Sequence, residues 1–519
     1  MAPYLVGSDV GTGGAKSALV DARGRVVASA YREYGLHAWE DRVEQDPDDY
    51  WRGVAETIRE CLERSGVSPA DVAGVAVSGQ SPACILVDRS LRPLRPAHIW
   101  MDRRGSGEAD AVRRQLGEEA VFALSANPVD PYYGVIKLLW ERHHEPEIYA
   151  RAVKMLNQKD YVVACLTGRA LTDVSNAALD GIAFDIRKRR FDPTVVSELG
   201  LDMDKLPEVF PCDEVVGAVT EAAARLTGLS AGTPVVAGTV DANAAWLSMG
   251  VIDDGDNCLT MGTAACWGVA HKSDRFARGM IALPHAAYSR ERYFTAAAMV
   301  SGGALLRWYR DGFADAEREA ARRSGVDAYD LLTEQAARVP PGADGLVVLP
   351  YFMGERNPIW DTEARGVIFG LSIAHGKAHV VRALMEAVGY GIRHNIDLVR
   401  REGIAVHDPL YLVEGGANSP LWRQIMADIV HMPVEYLAGM EGAPLGDAVV
   451  AGVGTGVFPD YEVIRGWRVD AGERRTPRAE VTARYDQLFA IYLGLYPSLK
   501  PWFRPLQQAL QAGRKGGDG

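Results

Sequence analysis

The sequence predicts an α/β protein of two lobes, each a mixed β-sheet flanked by helices. Three observations predict this fold class. The chain has 519 residues, which is too many for a single hydrophobic core. Strand and helix patterns alternate along it. A strand, a glycine-threonine turn and a second strand occur twice, at residues 7–21 and 256–274. We therefore expect lobes at 1–247 and 248–519, joined through the Gly- and Asp-rich segment 248–257.

The elements of the first half can be assigned in order. The stretches YLVGSDV, KSALVDA and VVASAYRE are three short strands, and DPDDYWRGVAETIRECLERSG is an amphipathic helix. Asp46 supplies the N-cap of this helix and Gly66 ends it. The apolar run VAGVAVSGQ predicts a strand buried on both faces, and CILVDRSLRPLRPAHIW predicts a hairpin. The last residues, 508–519, are expected to form a disordered tail.

Composition restricts the class of protein. Hydrophobic residues make up 48% and charged residues 24%, as in ordinary soluble enzymes. The net charge of −12 and the lack of a basic stripe argue against a nucleic-acid partner. The six cysteines form no C-x-x-C pair, which is typical of a reducing compartment. No signal-peptide pattern or run of 18 apolar residues is evident, so we expect a cytoplasmic protein that does not bind membranes.

The first turn, GSDVGTGGAKSALVD (residues 7–21), is not a P-loop, because Lys16 follows Ala15 and no helix opens after the glycines. A hairpin turn of small residues instead exposes backbone N–H groups that bind an anion. Asp9 is placed to hold the Mg²⁺ of a polyphosphate, since this ion prefers one or two carboxylates plus phosphate and water oxygens. Lys16 is placed to reach the transferred phosphoryl group.

The second turn, LTMGTAACWGVA, repeats this pattern in the second half. Two such turns facing each other across a cleft would hold a triphosphate from both sides. This arrangement predicts a nucleotide site between the two lobes.

The sequence as a whole resembles the FGGY carbohydrate kinases of the actin-like ATPase superfamily, whose lobes have a ribonuclease H-like fold with a cleft between them. The resemblance is carried in order by GSDVGTGGAK, PLRPAHIWMDRR, KLLWERHHEPEIY, QKDYVVACLTGRALTDVSNA, VVAGTVDANAA, LTMGTAA, the long stretch from LPYFMGERNPIWD to MEAVGY, and LVEGGANSPLWRQIMADI. It covers nearly the whole chain, and the likeness is strongest to xylulokinases.

The resemblance implies roles for individual residues, with ATP and Mg²⁺ as the other reactants. Asp241 would be the general base and Asp9 would orient the metal. The phosphates would be held by Thr12, Gly13, Lys16, Gly262 and Thr263, and the rest of the nucleotide by Gly303, Gly415, Gly416, Ala417 and Asn418. Candidates for contact with the sugar are Gln80, Ser81, Trp100, Asp102 and Arg103, together with Asp241.

Two departures leave the substrate open. Xylulokinases carry Met-His-Gly where this chain has Ser81, Pro82 and Ala83, and the residue after the catalytic aspartate is Ala242 where an amide is usual. D-Xylulose is the favoured acceptor, and ribulose, erythritol, glycerol and gluconate are alternatives. A second class of function is an actin-like ATPase switch that transfers no phosphate. A homodimer would fit the resemblance.

Overall fold

The computed structural model describes residues 3–437, 442–467 and 474–515, with side chains described as far as residue 509. In the first part of the chain the strands are β1 (Tyr4–Val10), β2 (Gly14–Asp21), β3 (Val26–Glu33), β4 (His37–Trp39), β5 (Arg42–Gln45), β6 (Val72–Gly79), β7 (Ile85–Val87), β8 (Ala97–His98), β9 (Lys154–Leu156), β10 (Leu171–Asp173), β11 (Phe184–Asp185), β12 (Arg190–Phe191), β13 (Glu208–Phe210), β14 (Val215–Ala218), β15 (Pro234–Val236) and β16 (Thr239–Val240). The helices are α1 (Pro47–Ser65), α2 (Ser106–Leu116), α3 (Glu118–Ser125), α4 (Gly134–His144), α5 (Pro146–Arg151), α6 (Gln158–Thr167), α7 (Val174–Asp180), α8 (Pro193–Glu198), α9 (Glu221–Thr227) and α10 (Asp241–Ser248).

The first large sheet has the strand order β14-β15-β6-β1-β2-β3, with β16 also beside β6. It is mixed, because β1 runs antiparallel to β2 and parallel to β6. Strands β1 and β3 have the bounds that the sequence predicts, and β2 begins two residues earlier. Helix α1 confirms its predicted caps: the Asp46 side chain accepts a hydrogen bond from the N–H of Asp48, and Gly66 adopts a left-handed φ of 68°.

The later part of the chain forms a second large sheet. Its strands and the neighbouring ones are β17 (Asn257–Met261), β18 (Ala265–His271), β19 (Ile281–Pro284), β20 (Tyr293–Met299), β21 (Val347–Leu349), β22 (Val367–Phe369), β23 (Leu410–Val413) and β24 (Val434–Tyr436). The helices are α11 (Ala304–Phe313), α12 (Asp315–Ser324), α13 (Ala328–Ala337), α14 (Lys377–Arg401), α15 (Pro420–Val430), α16 (Ala443–Gly454) and α17 (Ala479–Lys515). The sheet has the order β19-β20-β18-β17-β23-β24, and the hairpin β17–β18 carries the second glycine-threonine turn.

Helix α16 links the two halves of the chain. It follows the second sheet in sequence, yet its apolar side packs on the first sheet, where Leu445 and Val449 share a buried cluster with Leu5 and Val20. The approach is close: a Cβ atom on Gly7 of β1 would lie 1.9 Å from the carbonyl oxygen of Pro444. Helix α16 of the predicted second lobe thus contacts the first sheet directly.

The C-terminal prediction also differs from the structure. Helix α17 continues to Lys515, where the sequence analysis expects a disordered tail from residue 508. Residues 516–519 lie outside the described part of the chain. Within the described residues, no helix combines the length and the hydropathy needed to cross a membrane.

Candidate active site

The first turn joins β1 to β2 and is closed by a hydrogen bond from the N–H of Gly11 to the carbonyl of Gly14 at 3.0 Å. The Thr12 hydroxyl donates to Oε1 of Gln80 at 2.9 Å and accepts from the indole N–H of Trp100 at 3.1 Å. Small residues are required here, since a Cβ on Gly14 would lie 2.4 Å from the Arg32 carbonyl oxygen. The turn is thus held rigidly by side chains from distant parts of the sequence.

The second turn joins β17 to β18 and packs against the start of α11. The N–H of Gly303 donates to the Gly262 carbonyl at 2.7 Å, and the N–H of Gly302 donates to the Thr263 carbonyl at 3.0 Å. A Cβ on Gly303 would lie only 2.7 Å from the Gly262 oxygen, so glycine permits this contact. Helix α11 therefore begins directly beside the turn and adds the positive end of its dipole, which the sequence analysis did not foresee.

A cavity of about 620 Å³ opens beside the second turn. This volume lies in the range of sites for small ligands and cofactors. Of the predicted nucleotide residues, the structure places Gly262, Thr263, Gly303, Gly415, Gly416 and Asn418 in its wall. Ala417 is not part of this wall, because it is fully buried in the hydrophobic core under the turn, and its contact with the nucleotide stays a prediction.

Other parts of the cavity wall were missed by the sequence analysis. They come mainly from α11, α13 and α15 and include Leu306, Arg307, Asp327, Tyr329, Asp330, Thr333, Ser419 and Trp422. Arg307 is tied to the second turn, since its guanidinium donates to the Thr263 hydroxyl at 3.2 Å. Its position one turn inside an amphipathic helix gives no local signal of this contact.

Glu414, just before the glycines of the cavity, has an unusual backbone. Its φ of 71° and ψ of −176° fall in a region that is almost exclusive to glycine. Its carboxylate lies against the second turn, since a Cβ on Gly262 would lie 2.2 Å from Oε2 of Glu414. Glu414 is thus a strained acidic residue next to the predicted phosphate site, and the sequence analysis did not select it.

Asp9 and Asp241 form an acidic pair between the first turn and α10. Burial raises the pKa of Asp9 well above its ordinary value, and the nearby charge of Asp241 raises it further. Lys16, paired with Asp9 across β1 and β2, lowers the pKa of Asp9 in turn. Burial also raises the pKa of Asp241, which accepts a hydrogen bond from the N–H of Ala242 at 2.6 Å.

The environment of Asp241 reaches both lobes. Its negative charge raises the pKa of Asp9 of β1, of Tyr132 before α4 and of Cys266 of β18. It also raises the pKa of Asp447 of α16, a fully buried acid that was not predicted from the sequence. The acidic pair therefore lies where elements of the first and second sheets meet.

The side chains of two predicted sugar contacts, Gln80 and Asp102, form hydrogen bonds within the protein. Gln80 is 2% exposed, and its amide bonds the Thr12 hydroxyl and Oε1 of Gln45, so it supports the first turn instead. Asp102 is 1% exposed, and its carboxylate accepts from the Arg104 guanidinium and the N–H of Val43. Neither side chain has polar atoms free for a sugar.

The other predicted sugar contacts retain accessible or unpaired groups. Ser81 is nearly buried, and its Oγ has no partner in the described part of the chain. The ring of Trp100 lies 5.5 Å below the Arg356 guanidinium, which the second half of the chain provides. Arg103 forms a bidentate ion pair with Asp130 and is partly exposed.

The family models for the FGGY family of carbohydrate kinases match residues 4–248 with the N-terminal domain and residues 257–455 with the C-terminal domain. The chain belongs to this family. It is an FGGY carbohydrate kinase with the two-domain, actin-like ATPase fold, and kinases of this family use ATP as the phosphate donor.

Relatives of this FGGY kinase include proteins with different substrates in their names. A xylulose kinase of Bacillus subtilis (strain 168) is 28% identical over 514 residues, which are 99% of each chain. A gluconokinase of Bacillus licheniformis is 28% identical over 505 residues, 96% of this chain and 97% of the other. The crystal structure of xylulose kinase from Rhodospirillum rubrum has a TM-score of 0.88 and 32% identity, and the match covers 96% of this chain and 100% of that one.

The acids of this FGGY kinase suit a cation that arrives with the nucleotide. Oδ1 of Asp9 is buried and lacks a hydrogen-bond partner in the described residues, and a divalent cation would satisfy it. In the described ranges no three His, Cys, Asp or Glu side chains converge closely enough to hold a metal ion alone. Mg²⁺ takes one or two carboxylates in proteins and fills its other positions with phosphate and water oxygens, and Asp9 would supply such a carboxylate.

Proposed function

We propose that this FGGY kinase transfers the γ-phosphate of MgATP to a hydroxyl of a small ketose or polyol, with D-xylulose as the favoured acceptor and D-xylulose 5-phosphate as the product. The observation that carries this proposal is the position of Asp241, beside Asp9 of the first turn and within electrostatic reach of Cys266 after the second. The similarity to xylulose kinases supports the choice of acceptor.

In this proposal the nucleotide occupies the cavity beside the second turn, with its phosphates directed toward the first turn. Asp9 holds the Mg²⁺, which supplies positive charge to the phosphate oxygens when bound. Lys16 lies across from Asp9 in the β1–β2 ladder and adds a second positive charge on the same side. The two turns thus fix the donor and align it for in-line transfer.

Asp241 acts as the general base in this proposal. Burial raises its pKa, which brings the carboxylate closer to the proton affinity that suits a base near neutral pH. The acceptor hydroxyl would lie between Asp241 and the γ-phosphate. Ser81 and Arg103 would bind other hydroxyl groups of the sugar, and the Trp100 ring would pack on its carbon skeleton.

The acceptor is tested by an assay that couples ADP release to NADH oxidation. The panel is D-xylulose, D-ribulose, L-ribulose, L-xylulose, glycerol, erythritol and gluconate, each at several concentrations. We expect the highest kcat/KM with D-xylulose. A higher value for gluconate or a polyol would overturn the choice of acceptor, and ADP release that no acceptor stimulates would favour the ATPase switch.

The base is tested by Asp241→Asn, with Asp180→Asn as the matched control. Asp180 is also a buried carboxylate with one unpaired oxygen, and it lies at the end of α7. Removal of a general base costs about 10²–10⁴-fold in rate. We expect that loss in kcat for Asp241→Asn, with ADP affinity by calorimetry little changed. Sugar phosphorylation at the parent rate would contradict the assignment.

We further propose that the protein is cytoplasmic and forms a homodimer. Both are expectations from the sequence, and light scattering on the purified protein and cell fractionation test them directly.

A further inference from the structure

Asp447 is a buried acid that takes no part in the proposed binding of ATP, Mg²⁺ or sugar. It lies in the second turn of α16, is fully inaccessible to solvent and accepts a hydrogen bond from the Ser78 hydroxyl at 2.7 Å. Its other oxygen, Oδ1, is buried and has no partner in the described part of the chain. An unpaired buried carboxylate oxygen is costly, which indicates a ligand or a water that the protein itself does not supply.

Strand register places Ser78 between the two acids of the site. Ser78 is paired with Asp9 across β1 and β6, and with Thr239 across β6 and β16, two residues before Asp241. The Ser78 hydroxyl has a single proton, which it donates to Asp447. Ser78 also lies within hydrogen-bonding reach of Asp9, whose pKa it lowers. Oδ1 of Asp9 nevertheless has no partner in the described residues, so both acids present an unpaired oxygen near the same serine.

Asp9 and Asp447 also lie on the same side of the first sheet. Gly7 of β1 faces α16, because its Cβ position lies 1.9 Å from the Pro444 oxygen. Side chains alternate along a strand, so Asp9, two residues after Gly7, faces α16 as well. The charges of Asp9 and Asp241 both act on Asp447, which places the three acids in one region.

Helix α16 holds Asp447 in this position through backbone contacts. A Cβ on Gly446 would lie 1.9 Å from the Ala244 carbonyl oxygen of α10, the helix that Asp241 begins. Glycines at 7 and 446 therefore let α16 approach β1 and α10 at once. Such fixed packing keeps Asp447 at a constant position relative to both Asp9 and Asp241.

We propose that Asp447 is a positioning residue for the divalent cation at Asp9: one of its oxygens accepts the hydrogen bond of the Ser78 hydroxyl, and the other accepts a hydrogen bond from a water of the ion's hydration shell. The described acids do not form a closed set of three ligands, so contact through water is the arrangement that fits. Mg²⁺ keeps several of its waters in protein sites. Residues that orient a metal site from outside typically change metal affinity by about 10–100-fold when replaced.

This inference rests on the proposed cation site at Asp9, and its test uses the full-length protein with Mn²⁺ as the probe. Free Mn²⁺ is measured by electron paramagnetic resonance in the presence of ADP for the parent protein, Asp447→Asn and Asp180→Asn. Asparagine keeps the size of the side chain and an acceptor for the Ser78 hydroxyl, so the variant replaces only the second carboxylate oxygen. We expect Mn²⁺ to bind about 10–100-fold more weakly to Asp447→Asn and normally to Asp180→Asn.

Steady-state kinetics on the same variants separate a positioning role from loss of structure. For Asp447→Asn we expect a higher Mg²⁺ concentration at half-maximal rate, an unchanged KM for the sugar and near-parental kcat at saturating Mg²⁺. Parental Mn²⁺ affinity would overturn the inference, and so would equal losses in both acid-to-amide variants. If parent protein phosphorylates no sugar, the proposed function fails, whereas normal transfer with unchanged Mn²⁺ affinity in Asp447→Asn rejects only the role of Asp447.

A second measurement keeps the inference falsifiable if Asp447→Asn does not fold. Crystals of the parent protein with Mn²⁺ and ADP should show an anomalous peak bonded to Asp9 and one water away from Oδ1 of Asp447. A peak bonded to Asp9 with no ordered water between the ion and Asp447 would overturn the proposal.

Discussion

Replacement of Glu414 by glycine should stabilise the protein, although glycine usually does the opposite. Glu414 has φ 71° and ψ −176°, a conformation that costs a non-glycine residue about 1–3 kcal/mol. The glycine variant gains backbone freedom in the unfolded chain, which lowers the free energy of unfolding by about 0.5–1 kcal/mol. The difference leaves a net stabilisation of about 0–2.5 kcal/mol. The side chain is exposed overall, but its carboxylate lies beside Gly262 of the second turn, and this contact has to be separated from the strain.

Glu414→Ala separates strain from the loss of the carboxylate, since alanine keeps the Cβ and hence the strain. Thermal unfolding of the three proteins without ligand measures the effect, at about 2–4 °C per kcal/mol for a lobe of 150–250 residues. We expect glycine to melt above alanine, and alanine near the parent protein. A glycine variant that melts at or below the alanine variant would refute the assignment of strain to this residue.

Two further predictions concern packing and pH. Gly7→Ala should lower the free energy of unfolding by about 1–3 kcal/mol or more, because the new Cβ would lie 1.9 Å from the Pro444 oxygen. Gly35→Ala, whose Cβ meets open space, should leave it unchanged. Urea unfolding measures both, and equal midpoints for the two variants would contradict the prediction. Burial raises the pKa of Glu355 from 4.5 to about 7. The folded protein then holds a proton that the unfolded chain releases, so this residue's contribution to stability is present below pH 4.5 and is lost as the pH rises to about 7. Glu355→Gln should remove that part of the slope between pH 5 and 7.5, and parallel slopes for the two proteins would rule the effect out.

The sequence was most informative where structure is local. The caps of α1 and the strands on both sides of the first turn depend on residues close in sequence, and the structure confirms them. The cavity contains most of the predicted nucleotide residues because glycines in two turns are visible as a pattern. By contrast, Gln80 and Asp102 have polar side chains near the site in sequence, but their partners, Gln45 and Val43, lie more than thirty residues away. Only the tertiary structure shows that these groups are already satisfied.

The role of Asp447 could not be predicted either, because the residues around it are also distant in sequence. Within the sequence GAPLGDAVVAG it is one polar residue in an apolar helix, and nothing local links it to Asp9, 438 positions earlier. The link arises because α16 returns to the first sheet, which neither the alternation of strands and helices nor the repeated turn indicates. A helix that follows one lobe and packs on the other is a feature of topology, and topology is decided by contacts between distant segments.

This return of α16 also bears on how the site must work. Asp9 lies on β1, Asp241 begins α10 and Asp447 lies on α16, and glycines at 7 and 446 bring the backbones of these three elements into contact. Close-packed backbones do not shift independently, so the acids form a fixed group. The nucleotide cavity is built from the other sheet and its helices. In the proposed reaction, closure therefore has to bring the bound nucleotide to a preformed set of acids. On this basis Gly7→Ala, which disturbs β1 against α16, should lower phosphoryl transfer even under conditions in which the variant remains folded.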